Sequence, residues 1–345
     1  MSFIRVGIIG FGKMGRIRAG AAEAIPDVKV VKVFDQYGVG ETKYKVAPSA
    51  EDIIADPEID AVFICTPNYL NQPLTISALN TGKHVFCEKP PALNAAEVVE
   101  IQKVESQAGR ILMYGFNHRQ HLAVIKLKSL IDSGEFGEVL WMRGRYGKGV
   151  DADYLKGWRA KKELAGGGIL IDQGIHMLDL FLHVAGRPFD EVHAFVSSLY
   201  WKMEGIEDNV FATMRCRDTG LTASLHSTMT QWRHLFSFEI FLKRGYIVLN
   251  GIKTGSGSYG EEELVVARNH SVAPAAKWDN EQRFRYNIDP SWSFEANHFF
   301  EAIRTGQRVR YGTSENALAV MDLIDRIYAH DRHEAPVLYE TLESA

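Results

Sequence analysis

The opening stretch "RVGIIGFGKMGRIRAG" (5–20) constrains this chain most: an apolar β-branched run meets three glycines and passes directly into a helical pattern. A strand that ends in a glycine turn and feeds a helix begins a βαβ unit, and such units build parallel sheets covered by helices. Gly10 permits the tight turn, Gly12 lets a pyrophosphate approach the backbone, and Gly15 allows helix and strand to pack closely. The helix start attracts phosphates through its unpaired N–H groups and its dipole. Glycine-rich turns are common, so this spacing alone is a weak signal. Strand, turn, helix and a downstream acid together make it a dinucleotide site, with Gly10, Phe11, Gly12, Lys13, Met14 and Gly15 as its first candidates.

The downstream acid is Asp35, at the end of the second strand run. A carboxylate there accepts hydrogen bonds from both ribose hydroxyls, whereas a 2′-phosphate would meet a like charge. Neither Gln36 nor Tyr37 is an arginine, so NAD is favoured; Lys43 and Lys45 nearby keep NADP open. The competing reading of Asp35 is a solvated aspartate at a strand end.

The βα pattern repeats. Strand-like runs at 5–10, 28–35, 61–67, 84–90 and 110–116 alternate with helical segments at Met14–Ala24, Gln72–Thr81 and Ala95–Ala108. This predicts a doubly wound α/β domain over 1–118. The connection "QYGVGETKYKVAP" (36–48) is too short for a crossover helix plus a strand, so a truncated layer is expected there. Beyond it the pattern changes. A helix at His121–Asp132 and a strand at Val139–Tyr146 are followed by runs at 191–200, 209–216, 221–228, 235–243 and 245–249, which read as an antiparallel sheet. Helices near Ser293–Thr305 and Ser314–His330 close the chain, the latter capped by Thr313 or Ser314, and "GIKTGSGSYGEEE" (251–263) reads as a hairpin loop. Residues 119–345 thus form a second, α+β domain.

A length of 345 residues suits two domains, and 46% hydrophobic with 24% charged residues suits a soluble protein. The net charge of −4, without a basic run, disfavours nucleic acid and anionic membranes. Apolar stretches are read as too short and too interrupted to span a bilayer, and the N-terminus as a strand rather than a signal peptide. Cys65, Cys87 and Cys216 stand singly in apolar surroundings, as reduced thiols of a cytoplasmic protein do.

In an α/β sheet, ligands bind at the carboxyl ends of strands. Cys65, Thr66, Pro67 and Asn68 end one strand and line the expected nicotinamide side; Glu88, Lys89 and Pro90 end the next. A partly desolvated lysine beside a cationic ring has a lowered pKa and suits proton exchange with a hydroxyl. The alternative is a surface lysine paired with Glu88. Further on, "GGGILIDQGIHMLDLFLH" (166–183) spaces Asp172, His176, Asp179 and His183 by four, three and four residues, which puts them along one stripe of a helix. Asp172 and His176 then stack one turn apart, a carboxylate tuning an imidazole for proton abstraction. Asp179 either orients His176 or caps a buried donor elsewhere, and His183 reads as a partner of the helix C-terminal dipole. The two histidines lie about 10 Å apart along the axis, which argues against one shared metal; no metal is expected.

On G-F-G-K-M-G (10–15), Glu88-Lys89-Pro90, G-G-G-x-x-x-D-x-G-x-H-x-x-D (166–179) and the closing "FFEAIRTGQRVRYGTSENALAVMDLIDRIY", the sequence resembles the glucose–fructose oxidoreductase / inositol dehydrogenase / MocA (Gfo/Idh/MocA) family over nearly its whole length. The resemblance implies a Rossmann domain followed by a domain with a large, open, mostly antiparallel sheet that mediates homodimer or homotetramer contacts. It implies an NAD-dependent oxidoreductase acting on a sugar, a sugar derivative or a polyol such as inositol, with Lys89, Asp172 and His176 as catalytic trio. It places Asn117 near the nicotinamide and Trp158 and Arg159 at the pocket mouth. Members often carry histidine where this chain has Asn71. Arg145, Tyr146, Lys148, Thr228, Gln231, Trp232, Arg233 and His234 are sheet-face candidates. Their cations either bind a phosphate or carboxylate on the substrate or only solvate a sheet edge; Trp232 is the substrate-binding candidate among them. Two other family activities remain open: an NAD-retaining oxidation–elimination enzyme, and a non-catalytic sugar-sensing regulator.

Overall fold

The computed structural model describes residues 3–255, 257–269 and 278–333. The first half alternates β1 (Ile4–Ile9), α1 (Lys13–Glu23), β2 (Val28–Phe34), β3 (Lys45–Val46), α2 (Ala50–Ile54), β4 (Ala61–Ile64), α3 (Asn71–Asn80), β5 (His84–Glu88), α4 (Ala95–Ala108) and β6 (Leu112–Gly115). The strands are parallel, in the order β3-β2-β1-β4-β5-β6. This is a dinucleotide-binding order, with its switch point between β1 and β4. Strands β4, β5 and β6 are buried on both faces, which explains why they read as continuous apolar runs. The truncated layer is present: the 36–48 connection contributes only the two-residue β3.

The second half contains α5 (Leu122–Asp132), β7 (Val139–Gly149), α6 (Lys162–Ala165), α7 (Ile175–Ala185), β8 (Glu191–Ser197), β9 (Asn209–Arg215), β10 (Thr222–Thr228), β11 (Thr230–Leu242), β12 (Gly245–Asn250), β13 (Glu262–Arg268), β14 (Gln282–Tyr286), α8 (Ser291–Thr305) and α9 (Ser314–His333). Its eight strands run β14-β13-β12-β11-β7-β10-β9-β8, antiparallel except where β7 lies parallel to β10. Strands β13 and β14 escaped the sequence reading. The loop read as 251–263 ends earlier, because Glu262 and Glu263 already pair in β13. Thr313 caps α9 by accepting the Asn316 N–H at 3.2 Å.

Helix α7 covers one face of the large sheet. Met177 and Phe181 lie where only Gly144 of β7 leaves room for them. The other face is open and aromatic: Phe195 and Phe211 are 65% and 50% exposed, Phe211 stacks on His226 at 3.9 Å, and Trp141 stacks on Phe241 at 4.1 Å. The run Lys162–Ala185 is long and apolar enough to cross a bilayer, contrary to the sequence reading, but 72% of its most apolar window is buried inside the protein. It is a core segment.

The two halves are joined by returning helices. Phe299 of α8 packs edge-on against Phe63 and Phe86 of the parallel sheet, and α9 touches both α4 and β8. One buried charge cluster completes this seam. Arg18 of α1, fully buried, contacts Glu88 at 2.6 Å and Glu295 of α8 at 2.8 Å, between the rings of Phe86 and Trp292. One cation cannot neutralise two desolvated carboxylates. Burial accordingly pushes the Glu295 carboxyl up to about 8, against the pull of Arg18. Folding therefore raises this pKa from 4.5, unfolding releases a proton between the two values, and stability falls as pH rises across that window. In Glu295→Gln this decline should flatten, so that melting temperature between roughly pH 5 and pH 8 drops several degrees less than in wild type. A decline identical in both proteins would show that Glu295 is ionised in the fold.

Candidate active site

The glycine turn has the shape its spacing predicts. A Cβ on Gly10, whose φ is +88°, would sit 2.4 Å from the Cys65 carbonyl oxygen, and one on Gly15 would sit 2.2 Å from the Gly10 oxygen. A Cβ on Gly12 would meet only Asp35 Oδ2, at 3.9 Å. The outer glycines are thus crowded by protein, while the middle one faces open space. No side chain caps α1, so its first N–H groups remain free for an anion. Asp35 sits beside this space and accepts the Tyr37 N–H at 2.9 Å. These features fit NAD. The lysines that kept NADP open lie elsewhere: Lys43 pairs with Glu23 at 2.6 Å and is 71% exposed, and Lys45 is exposed on β3. Phe11 is buried and packs on Tyr44, so it serves the turn through its backbone.

Lys89 directly follows β5, at the carboxyl end of the parallel sheet, and its peptide bond to Pro90 is cis. Its Nζ donates to the Asp172 carbonyl oxygen and lies 3.6 Å from Asp172 Oδ1. Glu88 is engaged by Arg18, so the surface pair of Glu88 with Lys89 does not form. Burial lowers the Lys89 pKa; the Asp172 carboxylate opposes that shift, and Arg159 reinforces it.

Asp172 is buried among three cations: Lys148 Nζ at 3.1 Å, Arg159 Nε at 3.4 Å and Lys89. Burial alone would raise its pKa, but Lys148, Lys89 and Arg159 together hold the carboxyl well below the usual range. This differs from the helical stripe expected of the sequence. Residues Leu170–Gly174 form a π-helical turn, and α7 begins only at Ile175. The wider turn breaks the 3.6-residue period between Asp172 and His176. Asp172 faces the cations, while His176 stacks on His118 at 3.8 Å, and its buried Nδ1 has no hydrogen-bond partner among the described residues. Burial and Lys89 hold the His176 pKa well below 6.5, so the ring is neutral.

His118 was not singled out in the sequence. It sits just after β6, bonded through Nε2 to Tyr146 OH at 2.9 Å and through Nδ1 to Asn117 Oδ1 at 3.1 Å. Its signal was the polar run "NHRQH" directly after a strand end.

Residues 4–116 match the oxidoreductase family with an NAD-binding Rossmann fold, and residues 124–248 match the GFO/IDH/MocA C-terminal domain. The chain belongs to the Gfo/Idh/MocA family. It is 31% identical to inositol 2-dehydrogenase of Salmonella agona over 88% of this chain and 87% of the relative. It is 30% identical to 1,5-anhydro-D-fructose reductase of Ensifer adhaerens, over 61% of this chain but only 62% of the reductase. Its structure resembles levoglucosan dehydrogenase in complex with NADH and levoglucosan, with a TM-score of 0.82, 25% identity and coverage of 97% of this chain and 98% of that one.

Within this Gfo/Idh/MocA member the remaining candidates fall into two groups. Trp158 and Arg159 belong to the cluster, with the guanidinium 4.3 Å over the indole. Asn71 is fully buried: it accepts from Thr66 Oγ1 at 2.9 Å and donates to the Pro90 carbonyl at 2.7 Å, fixing one strand end against the other. Asn68 donates to the Ala165 carbonyl at 2.8 Å, and Asn117 to Ser291 Oγ at 3.1 Å. Trp232 stands apart, 74% exposed and edge-on to Tyr200. Asp179 does not orient His176; it pairs with Arg119 through two bonds of 2.6 and 2.7 Å. His183 is no cationic dipole partner either, since burial pushes its pKa down to about 3. The glycines 166–168 are crowded by Leu93, Tyr328 and the Glu207 carbonyl, respectively, each a protein neighbour.

Because Gly12 faces open space, Gly12→Val should leave the melting temperature of the free protein nearly unchanged and weaken NADH binding by tenfold or more, measured by calorimetric titration. Gly10→Ala, by contrast, should destabilise the fold itself. Full NADH affinity in Gly12→Val would displace the pyrophosphate from this turn.

Proposed function

We propose that the chain is an NAD-dependent dehydrogenase, or a ketoreductase in the reverse direction, for a secondary hydroxyl or keto group of a sugar, sugar derivative or polyol. The observation that carries this reading is the placement of Lys89, Asp172 and His176 together at the carboxyl end of the parallel sheet, on the side where the glycine turn opens. The inositol and levoglucosan dehydrogenases among its relatives support the substrate class.

NAD, when bound, supplies hydride exchange at its nicotinamide. The backbone of Gly10–Gly15 and the Asp35 carboxylate would hold the cofactor, and Cys65, Thr66, Pro67, Asn68, Glu88 and Asn117 would serve its nicotinamide side. Lys89 Nζ takes the hydroxyl proton during oxidation and returns it during reduction. Its lowered pKa makes the free amine accessible below 10.5. Neutral His176 donates its ring N–H to the oxygen of the same hydroxyl and orients it. Asp172 stabilises the protonated form of Lys89 by its charge. Trp158 and Arg159 contact the substrate.

The exposed aromatic face of the large sheet supports assembly into a homodimer or homotetramer, because an apolar patch of this kind is usually covered in solution. Two buried thiols and the half-buried Cys65, all free, suit the cytoplasm.

Lys89→Met should retain NADH binding and lose about 10²- to 10⁴-fold in kcat on a sugar and polyol panel that wild type turns over. For wild-type oxidation, kcat/KM should rise with pH through a pKa below 10.5, and the variant should lack this limb. Equal turnover by the two proteins would remove Lys89 from the chemistry.

A further inference from the structure

We propose that the substrate carries an anionic group, a carboxylate or a phosphate, that pairs with Lys148 and Arg159. The inference rests on the oxidoreductase reading above and narrows its substrate class.

The site holds more positive charge than its own acids neutralise. Lys89, Lys148 and Arg159 converge on a single carboxylate, Asp172. The neighbouring acids are engaged elsewhere. Glu88 is held by Arg18, and Asp179 by Arg119. Glu207 accepts from the Gly168 and Leu170 N–H groups and from Tyr328 OH. The nearby histidines, His118 and His176, are neutral because burial holds both pKa values well below 6.5. A surplus of two positive charges therefore remains when Lys89 is protonated, and of one when it is free amine. In a largely desolvated crevice such a surplus is unfavourable unless something binds there to offset it.

The geometry of the two cations indicates what that would be. Arg159 touches Asp172 only through Nε, at 3.4 Å. Its two Nη groups make no hydrogen bond among the described residues. The guanidinium lies over the Trp158 ring, at 4.3 Å, and its side chain is 42% exposed. A fork oriented by stacking and still open at both Nη atoms is suited to bidentate carboxylate or phosphate recognition. Lys148 spends one contact on Asp172 and lies 5.1 Å from the Tyr154 ring, with its side chain 21% exposed. Its field also reaches His234, whose pKa burial lowers first and Lys148 lowers further. A neutral polyol would leave this surplus uncompensated.

The test compares matched sugars: glucose, glucuronate and glucose 6-phosphate, and galactose, galacturonate and galactose 1-phosphate. NADH formation reads turnover; the shift in melting temperature with NADH present reads binding without turnover. At least one anionic sugar should exceed its neutral parent by about 30-fold or more in kcat/KM and give the larger thermal shift, and the carboxylate and phosphate arms identify which anion is recognised. In Arg159→Gln and in Lys148→Met this preference should collapse by about tenfold or more, mainly through KM, and Arg159→Lys should restore part of it. The melting temperatures of the ligand-free variants show that they fold. Equal thermal shifts from neutral and anionic members, or a preference unaltered in Arg159→Gln, would overturn the inference. An anionic sugar that binds preferentially but is never oxidised would support it while contradicting the dehydrogenase reading.

Discussion

The buried carboxylate of Asp172 is the contact on which the crevice is organised. It draws Lys89 from the end of β5, Lys148 from the end of β7 and Arg159 from the turn before α6 to one point. Each cation comes from a different element, and Lys89 comes from a different domain. Paired cations and carboxylate offset one another's desolvation, which none of them does alone at this depth. The result is a lysine whose pKa is lowered by burial yet restrained by a fixed negative charge, beside a histidine kept neutral. That combination suits proton exchange near neutral pH.

A second buried cluster stands behind the first. Arg18, Glu88 and Glu295 join α1, β5 and α8, and Glu88 directly precedes Lys89. Asn71 ties the β4 end to the Pro90 carbonyl. The peptide that presents Lys89 is thus held from both sides. The geometry of the glycine turn, with Gly12 open and Gly10 and Gly15 crowded, places the cofactor space on the same edge of the sheet.

Much of this was legible in the sequence because strands buried on both faces and helices buried on one have distinct periods. Strands β1, β2, β4, β5 and β6 read directly as apolar runs, and the glycine spacing carried its own reason. Strand β14, "QRFRY", was not visible, since it is a sheet edge where charge replaces apolar alternation. Lys89, Asp172 and His176 were singled out as candidates, but their spatial relation was not legible. The helical period assumed for 172–183 fails at the π-helical turn, so the expected pairing of Asp172 with His176 is replaced by Asp172 with Lys148 and by His176 on His118. Partners that lie tens of residues apart leave no local pattern.

The central claim is that Asp172 sets the proton affinity of Lys89. It is tested most directly by the pH profile of kcat/KM in Asp172→Asn. Removing a charge that raises the Lys89 pKa should move the limb assigned to Lys89 to lower pH, with the fold intact by melting temperature. A limb that stays in place, or moves to higher pH, would contradict the coupling of these two residues.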